Sequence, residues 1–135
     1  MAVIPTGWVE MEYLATNFTA ETGNWNVSAA DVNFLRFKVI DGSTVMIRIS
    51  VNDTAITDPT AKLFYQLPAW MKSIGHSPDL KGMYHQAAVP RVPFWVEMAA
   101  GTGLIECRRL GDLDFAVGNT GFSLHFWFEL QNRKE

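Results

Sequence analysis

The run Phe122-Ser123-Leu124-His125-Phe126-Trp127-Phe128-Glu129-Leu130 decides the fold class. Successive side chains of an extended chain point to opposite faces. Phe122, Leu124, Phe126, Phe128 and Leu130 therefore share one face, and Ser123, His125, Trp127 and Glu129 share the other. Wound as a helix, the same apolar residues would scatter around the circumference. The alternation predicts an antiparallel strand with one face on a core and the other toward water.

Two upstream runs repeat the pattern. In Thr44–Val51, Val45, Ile47, Ile49 and Val51 are expected inward, with Met46, Arg48 and Ser50 outward. In Asn33–Ile40, Leu35, Phe37 and Val39 share a face. Asp41-Gly42-Ser43 joins the two runs, and Asp-Gly between alternating segments signals a hairpin, because Gly accepts the positive φ such turns need. Shorter strands are expected at Val9–Leu14, Trp25–Val27, Lys62–Leu67, Met83–Ala88, Phe94–Met98, Leu104–Leu110 and Leu113–Val117. Gly101-Thr102-Gly103, Gly111-Asp112 and Gly118-Asn119-Thr120-Gly121 read as turns. Pro90 and Pro93 make 89–94 an edge strand or an extended loop. The best helical signal is a single turn at Ala69–Ile74, bracketed by Pro68 and Gly75. Many short strands with regular turns predict an all-β fold: one antiparallel, jelly-roll-like β-sandwich over residues 8–135, after an extended arm at 1–7.

The chain has 135 residues, 48% of them hydrophobic, which suffices for one domain with its own core. Its formal charge of −3 gives no electrostatic reason to bind nucleic acid. Charge is nevertheless uneven. Residues 1–35 carry Glu10, Glu12, Glu21 and Asp31 without Lys or Arg, whereas 62–95 carry Lys62, Lys72, Lys81 and Arg91 against Asp79. Such halves would attract one another if copies met head to tail; an ordinary solvated surface is the plainer reading. No apolar run approaches the ~18 residues needed to cross a bilayer, so no membrane association is expected. The N-terminus has no signal-peptide pattern, so the sequons at Asn17, Asn26 and Asn52 read as chance matches.

Signs of catalytic chemistry are sparse. His76, His85 and His125 show no metal-ligand spacing, and no nucleophile elbow or phosphate-cradling loop occurs. Cys107 cannot form an internal disulfide and lies in an expected strand, where a buried thiol is the simplest reading. Asp112 and Asp114 offer a short acidic pair for a cation, but Arg108 and Arg109 beside them favour a local ion pair. No catalytic residue, cofactor or metal is therefore expected. The aromatic content remains: five Trp, nine Phe and three Tyr. Trp127 points outward, and Trp70 and Trp95 lie near prolines. These three, with Val3 and Ile4 of the arm, are the candidate partner contacts, and covering the ends of the core is the competing role for the tryptophans.

Several segments carry a resemblance. Asn17-Phe18-Thr19-Ala20, Gly23-Asn24-Trp25-Asn26-Val27 and Ala30-Asp31-Val32 resemble the opening of a β-sandwich module of tailed-bacteriophage virion proteins. The hairpin through Ile40-Asp41-Gly42-Ser43-Thr44-Val45, the proline-ended strand Leu63-Phe64-Tyr65-Gln66-Leu67-Pro68 and the closing aromatic strand Phe122–Leu130 are similar to parts of that module. The likeness covers about residues 17–68 and the last strand; 69–111 follow no such pattern. It implies a non-enzymatic structural protein, commonly a homotrimer, made in the host cytoplasm and built into the virion. The chain reads as complete without a fibre shaft, which favours a capsid decoration (cement) protein. Such a protein binds major capsid protein at local three-fold sites on the head. The alternatives are a tail-fibre or receptor-binding module for host-surface glycan, and a carbohydrate-binding domain outside viruses.

Overall fold

The computed structural model describes residues 7–86 and 89–131. Val3, Ile4 and the rest of the arm up to residue 6 lie outside the described residues. The chain is all-β. Its strands are β1 (Val9–Glu10), β2 (Phe18–Ala20), β3 (Trp25–Asn26), β4 (Val32–Ile40), β5 (Thr44–Ile56), β6 (Lys62–Gln66), β7 (His76–Gln86), β8 (Val89–Met98), β9 (Leu104–Arg109) and β10 (Gly118–Glu129). Three single 3-10 turns, at Ala15–Asn17, Ala29–Asp31 and Leu110–Asp112, are the only helical elements among the described residues.

Every pairing is antiparallel, and the strands form one path, β1-β4-β5-β10-β7-β8-β9-β6-β2. β3 lies off this path and pairs with β5. The sheet curls until its far end meets its middle. Phe18 of terminal strand β2 packs edge-on against Trp25 of β3, with ring centroids 5.3 Å apart. Trp25 in turn meets Phe122 of β10 at 4.8 Å, and Phe122 stacks on Phe94 of β8 at 4.7 Å. Each such pair adds about 0.5–1.5 kcal/mol beyond area burial, so this aromatic chain ties the two halves of the sheet together. One polar group of the core ties three strands by hydrogen bonds. Buried Thr54 accepts the Trp25 indole N–H at 2.9 Å and donates to the Thr120 carbonyl at 2.8 Å.

The three deciding runs fold as their alternation requires. Val45, Ile47, Ile49, Val51, Phe122, Leu124, Phe126 and Phe128 are buried, while His125 and Trp127 are exposed. The β4–β5 hairpin turns at Asp41 (φ 54°) and Gly42 (φ 70°), the paired positive φ values of a type I′ turn. Val39 departs from expectation and is exposed. Its neighbour β1 pairs only with Arg36 and Phe37, so nothing in that edge strand reaches the hairpin tip.

Other departures follow from pairing. Gly118–Gly121 is not a turn but the first third of β10, held by β5 and β7. Leu113–Val117 forms no strand; Phe115 makes an isolated bridge to Thr60. No helical turn forms at Ala69–Ile74, where Ser73 instead bridges Leu130. β8 runs through Val89–Met98, yet β9 pairs only with Phe94–Glu97. Pro90 and Pro93 thus occupy the part of β8 with one neighbour, where a missing N–H is tolerated.

Candidate functional site

Three strands, β4, β5 and β8, carry an extra residue at one level of the sheet. In β4, Asn33 is the extra residue between the pairs Val32↔Val51 and Phe34↔Ser50. In β5, Asn52 and Asp53 together face Gly121 of β10, and Asp53 takes φ 61°. In β8, residues 90 and 91 together face His85 of β7. Gly121 and His85 are themselves direct partners. Bulges re-aim side chains, and here they gather on the outer face of the sheet.

Two joined depressions result, of about 350 and 260 Å³, sharing Ser50, Met83 and Ser123. Arg48, Lys81, His125 and Phe34 wall one; Asn33, Asn52, His85 and Arg91 wall the other. No carboxylate lines either. Gly121 makes the shape possible: a Cβ there would lie 2.1 Å from the His85 imidazole, so the ring lies across bare backbone. Asn33 donates its amide to the Ser50 hydroxyl at 3.0 Å.

The trough is cationic although the chain is net acidic. Arg36 and Arg48 are directly opposed on β4 and β5, an unfavourable like-charge pair. Neither guanidinium forms an ion pair with a described carboxylate; both lie over the Phe34 ring, at 4.3 and 5.3 Å from its centroid. Glu10 is the cross-strand neighbour of Arg36, without a salt bridge. Lys81 meets Asp79 at 3.6 Å on the open surface. Partial burial, then Arg48 and Lys81, lower the pKa of His125 below its ordinary value. By contrast, Lys62 and Arg108, on the far half of the sheet, are each paired, with Glu106 and Glu97.

The sequence-derived contact residues are not brought together. Trp127 stands just beyond the trough, 51% exposed, with Lys81 Nζ 5.0 Å from its ring centroid. Trp95 is half-buried on β8, opposite exposed Leu80. Trp70 is exposed at the end of the sheet, edge-on to Phe37 at 5.5 Å. Ile74, also exposed, donates its N–H to the Glu129 carbonyl.

Cys107 is fully buried, and burial pushes its thiol pKa well up, with Glu106 adding to the rise. Near Asp112-Leu113-Asp114, Arg109 donates to the Asp114 backbone carbonyl at 3.0 Å and Arg108 pairs with Glu97, while the side chain of Asp112 lies outside the described residues. No group of three or more His, Cys, Asp or Glu is placed to hold a metal ion among the described residues. No helix among them is long and apolar enough to cross a membrane. A separate open groove of about 880 Å³ lies between β2 and β3, lined by Tyr13, Asn24, Asn26, Asp31 and Asp53 and by no cation.

The bulged trough escapes sequence reading because most of its polar residues sit at the outward positions of their strands, where alternation expects polar residues anyway. The available signal was Asn33, a polar residue on the parity of Leu35 and Phe37, and Gly121, whose composition reads as a turn; Asn52 stands on the outward parity of Arg48 and Ser50 and gives no signal. The chain matches no family model, no curated protein and no solved structure.

Proposed function

We propose that this chain is a non-enzymatic virion protein, a capsid decoration protein that binds head subunits as a homotrimer. One observation supports the contact role: Trp70, Ile74 and Trp127 each expose more than half of their surface near the end of β10. Bare aromatic and aliphatic groups of this size are what a docking surface supplies. The virion setting rests on the resemblance of residues 17–68 and the last strand. A second reading, a tail module that recognises host-surface glycan, draws support from the polar trough, whose hydroxyls, amides and cations suit a hydrophilic ligand.

Light scattering on the eluting peak of a sizing column tests the assembly. The proposal expects three times the 15.2 kDa chain mass, reduced by Trp127→Asp. A monomer at every concentration contradicts the trimer.

A further inference from the structure

We infer that the bulged trough on the outer face of β4, β5, β10, β7 and β8 is a binding site for an acidic saccharide, one bearing carboxylate among free hydroxyls. The inference goes beyond the capsid reading and stands or falls without it.

The lining includes Arg48, Lys81, Arg91, His85 and His125 and no Asp or Glu. In a chain of net charge −3, such a lining repels its own cations, and among the described residues only Lys81 has an acidic partner, Asp79 at 3.6 Å on the open surface. Arg36 opposed to Arg48 sharpens this, because local conflicts of that kind persist where function needs them. A planar guanidinium fixed on a ring is preset for a carboxylate, since its fork matches the two oxygens.

The rest of the lining selects among anions. Ser50, Ser123, Asn33 and Asn52 place hydroxyls and amides between the cations, at the spacing of one strand to the next. Hydroxyls and amides answer sugar hydroxyls. A single-stranded nucleic acid wants bare aromatic faces on which bases stack. The Phe34 ring is covered by Arg36 and Arg48, and Phe122 is buried, so neither aromatic of the lining offers one. A protein partner wants an apolar centre, whereas here exposed Met83 is the one apolar residue among the three that the depressions share, beside Ser50 and Ser123. The combined depressions fall in the size range of small-ligand sites. Gly121 supplies the second independent mark of a shaped site, since any side chain there would strike His85.

The test is isothermal titration of the whole chain with a uronic-acid oligosaccharide. A neutral oligosaccharide of equal length, sodium sulfate and a single-stranded oligonucleotide form the comparison. The uronate is expected to bind, and the neutral sugar not. Arg48→Gln and Arg91→Gln are each expected to weaken binding about tenfold, as loss of one charge-assisted contact does. Lys72→Gln, a cation outside the trough, is expected to leave it unchanged. Amide shifts in the NMR spectrum should centre on Ser50, Gly121 and Ser123. No binding of the uronate, equal binding of the neutral sugar, or tighter binding of the oligonucleotide overturns the inference. So does sulfate binding as tightly as the uronate, which would mark a plain anion site. An equal loss in Lys72→Gln would mark unspecific attraction and overturn it as well. A trimer that binds heads but not the uronate would leave the decoration reading standing and this inference refuted.

Discussion

Replacing Phe126 by Ala, with Trp127→Ala as its partner experiment, tests the alternation on which the fold rests. Phe126 is fully buried in β10, between β5 and β7, with His76 and Phe128 rings at 5.5 and 5.9 Å. Trp127, its neighbour in sequence, is half exposed on the other face. Emptying a fully buried Phe site costs about 3–5 kcal/mol, transfer and cavity together. Total stability for a domain of this size is about 5–15 kcal/mol. At roughly 3–5 °C per kcal/mol, Phe126→Ala should melt about 10–20 °C below wild type. Trp127→Ala loses a larger side chain but little buried area, and should shift melting by only a few degrees. Phe126→Asp, which buries an unpaired charge, should not fold. Differential scanning calorimetry reads all three. Equal losses in the two alanine variants, or wild-type melting of Phe126→Asp, would refute the assignment of faces.

Three further outcomes are expected. Gly121→Val places a branched side chain where the His85 ring lies, so it should cost about 1–3 kcal/mol in denaturant unfolding and displace the His85 ring resonances. Thr54→Val leaves the buried Trp25 indole N–H without its acceptor and should cost about 1–3 kcal/mol, read as a lowered urea midpoint. The third concerns pH. His125 has its folded pKa lowered below the ordinary 6.5, so on acidification the unfolded chain takes up its proton first. Stability from this group is therefore complete above the unfolded value and lost as pH falls through it toward the folded one. Arg48→Gln removes one of the cations responsible and should move the His125 titration up toward 6.5 in NMR; an unchanged or lower midpoint would contradict the cause.

Much of the fold was legible because burial and period coincide. In β5 and β10 every second residue is buried over seven or more positions, and a one-residue slip would expose the whole set. The Asp41-Gly42 turn was legible because only a few residue types accept two successive positive φ values. What escaped depends on partners distant in sequence. Gly118–Gly121 has turn composition, yet β5 and β7 on either side hold it extended. Phe115 alternates like a strand residue, but only Thr60 is within pairing reach. The trough escaped for the same reason. Asn33, Asn52, Gly121 and the hairpin that carries His85 and Arg91 are far apart in sequence, and only the coincidence of their bulges brings them level. Of the candidate contacts, Trp127's exposure was read from parity alone, whereas nothing local in the sequence separates the exposed Trp70 from the half-buried Trp95.

Docking on a virion head, the role proposed for this chain, is measurable by co-sedimentation. Purified chain would be mixed with expanded phage heads stripped of decoration, and spun through a gradient. Saturable binding at three copies per local three-fold site, weakened by Trp127→Asp, is expected. Heads that sediment free of the chain at saturating concentration would contradict it.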